Sequence, residues 1–153
     1  MDERSDRGPL LGALLRLAHQ SLIRRVLEGL AREGYVDVQP AHFAPMVALW
    51  DAPDGLRATE LAARAKITKQ SMGELVEQLA ARGYVERVAD PEDGRARRIR
   101  ITPKGRKAGR LGRKLVREVE SDWSKRVGIA RIEQMRKTLK RLLETESEGA
   151  RQE

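Results

Sequence analysis

The sequence predicts a mainly α-helical chain with one small β-hairpin, flanked by long N- and C-terminal helices. Apolar side chains recur at spacings of three and four over most of the 153 residues, and a two-residue period replaces that spacing only between positions 85 and 102. Gly or Pro stands near most changes of pattern. A chain of this length is expected to form a single domain, here residues 1–153.

A first long helix is predicted from Pro9 to about Glu33. Its leucines form a broad apolar stripe, and charged side chains lie between them. A stripe of that width is typical of a helix covered on two sides, once by its own core and once by a partner subunit. Gly34 stands where a helix commonly ends.

Three shorter helices follow. The second begins near Pro40 and ends before the turn at residues 51–55; the third covers residues 60–65 with Thr59 as its N-cap. The fourth begins behind Thr68 and ends at Gly83. Because only a short turn joins the third and fourth helices, they are predicted to form a helix-turn-helix.

A charged hairpin, here called the wing, is predicted over residues 85–102. Its loop lies at 90–94, and four arginines follow within six residues: Arg95, Arg97, Arg98 and Arg100. Thr102 and Pro103 then open a long helix as N-cap and first residue, and Gly128 separates it from a last helix. This order predicts a winged helix-turn-helix at residues 38–103, with dimerisation helices at 9–37 and 104–149.

The positive charge is concentrated in one part of the chain. The whole chain carries +8; residues 56–114 hold 16 Lys/Arg and 7 Asp/Glu, a balance of +9, and the remainder holds 15 and 16, a balance of −1. Such a segment indicates a phosphate-binding surface, although arginine-rich helices also occur as solvated faces. Aromatic residues make up only 3% of the chain, which disfavours recognition of single strands by base stacking.

The fourth helix is the candidate for reading the major groove. Recognition helices point their N-terminal side chains at base edges. Glutamine can bond adenine through two hydrogen bonds, and lysine can reach guanine or a phosphate. A glycine inside this helix costs about 1 kcal/mol relative to alanine, which makes sense if the helix approaches DNA closely. The candidate contacts are Thr68, Lys69, Gln70, Ser71, Gly73 and Glu74.

The wing is the candidate for the minor groove. Arginine on a thin hairpin can enter narrow A·T-rich stretches, where negative potential is concentrated. We expect Arg95 to insert there, with Arg97 and Arg98 on the flanking phosphates. Asp93 is expected to orient Arg95 and to shape the turn.

Catalytic and cofactor chemistry finds little support in the sequence. The chain has no cysteine, its two histidines are predicted on different helices, and neither has acidic residues at a metal-ligand spacing. No phosphate-binding glycine loop and no nucleophile elbow occur. We therefore expect no enzyme activity, no metal and no cofactor. No segment is apolar enough to span a membrane, so a cytoplasmic protein, nucleoid-associated when bound to DNA, is expected.

Taken together, the helix-turn-helix, the helix end at residues 79–85, the wing run Asp90 to Ala96 and the run Ile99 to Gly105 resemble the MarR family of transcriptional regulators. The resemblance covers nearly the whole chain, and the wing run is its most specific part. It implies a homodimer that binds a pseudo-palindromic operator. By position, Lys69, Gln70, Ser71 and Arg95 match the DNA-facing places of the family and Asp93 its wing aspartate, whereas Gly94 replaces a frequent arginine.

The resemblance also implies a cleft for a small aromatic or phenolic effector, between the dimerisation helices and the winged region. Its candidate contacts are Arg16, His19, His42 and Met46, since a cation or an imidazole beside apolar walls suits an aromatic anion. The same side chains are also typical of a helix surface or a dimer contact.

Three functions therefore remain open. The chain is a sequence-specific DNA-binding regulator in the first hypothesis, in which a homodimeric repressor binds double-stranded DNA. It is an architectural DNA-binding protein without sequence preference in the second. In the third it is a winged domain that binds another protein.

Overall fold

The computed structural model describes residues 8–149, with side chains from 8 to 145. The predicted domain bounds at 1–7 and 150–153 lie outside the described residues. The elements along the described chain are α1 (Leu11–Arg32), a 3₁₀ turn (Pro40–His42), α2 (Phe43–Trp50), β1 (Leu56–Arg57), α3 (Ala58–Ala65), α4 (Lys69–Ala81), β2 (Val85–Ala89), β3 (Arg97–Ile101), α5 (Pro103–Val127) and α6 (Ile129–Gly149). The predicted fold class is confirmed: helices predominate, and a small antiparallel sheet forms the wing.

The sheet has three strands in the order β1-β3-β2, one more than predicted. The short strand β1 places Leu56 opposite Ile99 and Arg57 opposite Arg98. Pairing holds residues 56 and 57 extended, and α3 begins directly behind them at Ala58. The prediction of Thr59 as N-cap was therefore wrong. Arg57 is the N-cap, and its N–H donates to Glu60 Oε2 at 2.8 Å.

The core lies between this sheet and helices α2, α3 and α4. One face of the sheet is apolar, and the side chains that it shares with the helices are almost fully buried. Alternation along a strand explains why the neighbouring positions Arg98 and Arg100 turn to the other face. The buried residues of this cluster are Leu49, Leu56, Leu61, Ala62, Met72, Val76, Leu79, Tyr84, Val85, Ile99, Ile101 and Ala108.

A joint forms where α4 ends and β2 and α5 begin. Thr102 caps α5, since its Oγ1 accepts from Gly105 N–H at 3.1 Å and donates to Gly83 O at 2.5 Å. A Cβ on Gly105 would collide with the carbonyl of Tyr84, so only glycine allows this approach. The buried Tyr84 hydroxyl donates to Asp37 Oδ1 at 2.5 Å.

The two groups of this hydrogen bond influence each other's protonation. The Tyr84 hydroxyl lowers the pKa of the Asp37 carboxyl by donating to its charged form. Burial, and then the bond to Asp37, raises the pKa of Tyr84. A hydrogen bond to a charged group contributes roughly 1.5–3 kcal/mol, so this bond ties the segment behind α1 firmly to the start of the wing.

The chain divides into two compact units, one through Leu115 and one from Val116. In the first, Gly29 of α1 meets the side chain of Leu115, and Gly109 of α5 meets the ring of Trp50. In the second, Val119 and Ile132 are buried, and Arg136 of α6 pairs with Glu120 of α5 at 3.0 Å. Among residues 8–149, no helix has the length and apolar composition needed to cross a membrane.

Candidate nucleic-acid interface

Helix α4 presents one buried face and one exposed polar face. Thr68 caps it, because its Oγ1 accepts from Ser71 N–H at 3.1 Å. Met72, Val76 and Leu79 are buried in the core. The first turn and the polar face are exposed at four predicted contact positions: Lys69, Gln70, Ser71 and Glu74. The capped N-terminus therefore offers amide, hydroxyl and ammonium groups together.

Gly73 lies on α4 without a packing reason inside the protein. A Cβ built at this position meets no atom within 4 Å. Gly105 and Gly109, by contrast, are each needed because another part of the chain approaches their backbone. Glycine in a helix interior costs about 1 kcal/mol relative to alanine, so the cost at Gly73 is not offset within the chain.

The turn before α4 contains a feature that sequence reasoning missed. Lys66 closes α3 in the left-handed region with φ 54°, and it is the one non-glycine residue with positive φ in the described chain. Its side chain is exposed. A side chain in this conformation costs on the order of 1 kcal/mol, which glycine would avoid. The chain thus keeps a cation beside the N-terminus of α4 in spite of the strain.

The wing tip is ordered by hydrogen bonds within the loop. Asp93 Oδ1 accepts from Arg95 N–H at 3.1 Å, and Ala96 N–H donates to Asp93 O at 2.9 Å. Asp90 N–H donates to Ala96 O at 3.1 Å. Arg95 on this loop and Arg97 at the start of β3 are exposed. The tip is therefore a compact turn that carries two solvent-accessible guanidinium groups.

At the base of the wing, Arg98 forms ion pairs within the protein. Its Nε lies 3.2 Å from Asp90 Oδ2 in a buried ion pair, and its side chain is only 21% exposed. A second partner, Glu92, lies 3.6 Å away. A guanidinium paired with two carboxylates adds little net positive charge to the surface, so Arg98 has a structural role in the wing that the sequence analysis did not predict.

The acid at the centre of this cluster is Asp90, which sequence reasoning also missed. Its carboxylate accepts from Glu92 N–H at 2.9 Å and from Arg57 Nε at 2.6 Å. The Glu92 amide first, and the Arg57 guanidinium second, hold the pKa of this carboxyl well below its usual range. An Asp before Pro in a turn is common, so the sequence offered no sign that this one would be buried.

The four candidate effector contacts differ in exposure and in their partners within the chain. Arg16 is exposed and donates to Gln20 on its own helix at 3.2 Å, and His19 is exposed on the same helix. Met46 is half-buried against the core. His42 is 1% exposed, and both of its ring nitrogens have partners inside the protein.

The contacts of His42 also define its tautomer. Nδ1 accepts from Gln39 N–H at 3.1 Å, so the proton is on Nε2, which donates to Gln78 Oε1 at 3.1 Å. This imidazole therefore stabilises the start of α2 against α4. The structure removes His42 from the candidate ligand contacts, because no ring nitrogen is left for a ligand.

The contacts of Asp90 lead to a prediction for the stability of the fold. A carboxyl whose pKa is lowered by folding stabilises the protein above its unfolded pKa of about 4, and this contribution is lost as pH falls towards the folded pKa. We expect the free energy of unfolding to decline between about pH 4 and pH 2, and to decline less steeply in Asp90→Asn. Urea unfolding followed by circular dichroism at several pH values measures both slopes.

Glu86→Gln is the matched control. It also removes one carboxylate from the wing, but the Glu86–Arg100 pair is exposed, with side chains 43% and 45% accessible. Exposed pairs contribute little, so this variant should keep the pH dependence of the wild type. Equal slopes for wild type and Asp90→Asn would contradict the assignment.

Comparison with known proteins connects this site to a family. A MarR family model matches residues 36–96, from the segment behind α1 to the wing tip. Among solved structures, a probable transcriptional regulator from Pseudomonas aeruginosa is 27% identical with a TM-score of 0.69, over 87% of this chain and 96% of its own. No curated protein sequence matches the chain.

Two further structures have the same fold at lower identity. A mutant of MarR from E. coli, complexed with operator DNA, is 22% identical with a TM-score of 0.71, over 87% of this chain and 93% of its own. CouR from Rhodococcus jostii RHA1, bound to p-coumaroyl-CoA, is 24% identical with a TM-score of 0.67, over 90% and 92%. Residues 36–96 therefore match the MarR family, and the chain has the fold of that family's transcriptional regulators.

Proposed function

We propose that this protein is a homodimeric transcriptional repressor that binds a pseudo-palindromic DNA operator by sequence. The observation that carries the proposal is the exposure of two different DNA-reading elements on one core, the capped polar N-terminus of α4 and the arginine-bearing wing tip. The E. coli MarR mutant with this fold is complexed with operator DNA. Residues 38–103 then form the DNA-binding region.

In this proposal α4 enters the major groove. Gln70 bonds an adenine edge, Lys69 reaches a guanine or a phosphate, and Ser71 and Glu74 complete the polar face. The Thr68 cap and the amides of the first turn face a phosphate, which helix N-termini bind well. Lys66 joins them as a further phosphate contact, since it is exposed in the turn beside the cap.

The wing enters the adjacent minor groove. Arg95 is the inserted side chain, because it lies in the turn that Asp93 shapes and is exposed. Arg97 contacts a flanking phosphate. A guanidinium in a narrow minor groove favours A·T-rich sequence through groove width, so it reads shape, whereas Gln70 reads base edges.

A homodimer explains the apolar side chains that the chain leaves exposed. Leu10, the N-cap of α1, is 79% exposed and Leu17 on α1 51%; on α6, Ile129 is 73% exposed and Leu143 61%. Monomeric proteins rarely leave so many large apolar side chains along two helices in water. We infer that residues 9–37 and 104–149 supply the dimer contacts, and that two-fold symmetry dictates the pseudo-palindrome.

A small aromatic or phenolic effector that releases the DNA completes the proposal. CouR, which shares the fold, is bound to p-coumaroyl-CoA. In this chain Arg16, His19 and Met46 remain as candidate contacts, and titration of aromatic acids into the protein–DNA complex tests them.

The dimer is tested by sedimentation equilibrium. The chain has a mass of 17.2 kDa, and twice that mass is expected at micromolar concentration. Leu14→Arg on α1, where Leu14 is 47% exposed, should shift the population towards the monomer, because it would bury a charge in the interface. A wild type that sediments as a monomer contradicts the proposal.

Sequence-specific binding is tested by fluorescence anisotropy with DNA from upstream of the protein's own gene and with a shuffled duplex. A preference of about 10³ or more for the upstream fragment, with affinity falling steeply with salt, is expected. Arg95→Ala should weaken binding mainly where the wing contacts are A·T-rich, and Gln70→Ala should relax base preference in the major groove. Equal affinity for both duplexes would instead support the architectural hypothesis.

Gly73→Ala separates stability from binding. Alanine has open space at this position, so the variant should unfold at higher urea, with a gain of about 1 kcal/mol in the free energy of unfolding. The same methyl should weaken operator binding if the backbone of α4 lies against the DNA. Gly112→Ala on α5 is the control, since a Cβ there also meets nothing within 4 Å. If Gly73→Ala binds DNA as tightly as the wild type, Gly73 makes no close approach.

A further inference from the structure

Within the described chain, three buried residues carry polar side-chain groups: His42, Tyr84 and Asp90. His42 is neutral and fully hydrogen-bonded, whereas the carboxylate of Asp90 is charged and 0% exposed. Burying a charge is costly unless partners compensate it. Asp90 has two such partners, the Nε atoms of Arg57 at 2.6 Å and of Arg98 at 3.2 Å.

Asp90 and its two guanidinium partners come from three different segments. Arg57 belongs to β1 and is also the N-cap of α3, Arg98 belongs to β3, and Asp90 directly follows β2. Arg57 and Arg98 are register partners across the sheet. One carboxylate therefore ties both arms of the wing to the first residue of the helix-turn-helix.

The ion pairs of Asp90 lie at the level of the sheet where strand β1 ends. Strand β1 ends at Arg57, opposite Arg98, so the next step towards the tip pairs only Ala89 with Arg97. The three-stranded sheet becomes a two-stranded hairpin at this level. An isolated hairpin is only marginally stable in water, so its direction depends on what holds its root.

The contact between Asp90 and Arg98 depends on the negative charge of Asp90. Nε of Arg98 is buried and, although it lies within ion-pair distance of Asp90, no hydrogen bond satisfies it. Its ion pair with Asp90 therefore depends mainly on the attraction of opposite charges. An asparagine would keep the shape of Asp90 but would remove the buried charge that both guanidinium groups share, leaving Arg98 paired only with the exposed Glu92 at 3.6 Å.

We propose that Asp90 is a positioning residue for DNA binding, which holds the wing at a fixed angle to α4 so that Arg95 enters the minor groove while α4 occupies the major groove. This inference rests on the proposed function. Asp90 is buried and negatively charged, so it does not touch DNA itself. Without it the wing has to be ordered during binding, and that cost is subtracted from the contribution of Arg95.

A double-mutant cycle tests the proposal on the full-length protein with its upstream DNA fragment. Arg95→Ala should weaken binding about tenfold in the wild type and less than about threefold in the Asp90→Asn background, because residues that act through one element are not additive. Glu86→Gln is the matched control: it removes one negative charge from β2, the strand that Asp90 follows, at the exposed Glu86–Arg100 pair. In that background Arg95→Ala should still cost about tenfold.

A second variant and a second measurement separate positioning from loss of folding. Arg57→Gln keeps the Asp90–Arg98 pair but removes the connection to β1, and it should reduce the effect of Arg95→Ala in the same way. Hydrogen exchange should rise at the Asp90 and Ala96 amides in Asp90→Asn and stay unchanged in α4.

The outcomes distinguish this inference from the function on which it rests. Additive effects of Arg95→Ala in both the Asp90→Asn and the Arg57→Gln backgrounds would overturn the positioning role and leave the DNA-binding function intact. A wild type that binds neither duplex would overturn both. A reduced Arg95 effect in the Glu86→Gln background as well would also overturn the proposal, because any loss of negative charge would then suffice.

Discussion

The arrangement of the winged region depends on the joint around Tyr84. Glycine at position 105 lets α5 start against the Tyr84 carbonyl, and Thr102 connects the first turn of α5 to the end of the α4–β2 turn. The buried ring packs in the core while its hydroxyl donates to Asp37, and Lys104 lies over the ring at 4.4 Å. Because four segments meet here, the orientation of α4 and the start of the wing are determined together.

The DNA-reading elements extend from this joint towards their free ends. Helix α4 has 13 residues and spans about 20 Å, so its capped N-terminus lies far from the joint, as does the wing tip beyond β2 and β3. An element held at one end transmits small errors in angle to the other. We therefore expect the base of the wing to need a second set of contacts that fixes its direction. The ion pairs of Asp90 supply these contacts, and this role explains a buried charge in spite of its desolvation cost.

Local patterns in the sequence were sufficient for much of the fold. The threonine caps at 68 and 102, the glycine breaks at 34, 83 and 128, and the two-residue period of the hairpin each depend on neighbouring residues, and the structure has them where the pattern predicts. Strand β1 has only two residues, too few for a periodic signal, and exists because it pairs with β3. Thr59 was misassigned as a cap for the same reason, since that pairing moved the start of α3.

The sequence by itself determined the order of the helices and the hairpin, the concentration of positive charge and the polar face of α4, because these depend on spacing and composition. Only the tertiary structure decided how individual charges are used. Arg95 and Arg98 are three residues apart and alike in sequence, yet one is exposed at the tip and the other pairs with a buried Asp90. His42 likewise changed from a candidate ligand contact to a buried link between α2 and α4. The physical reason is that desolvation and pairing depend on which distant residues share a site, and sequence spacing does not report this.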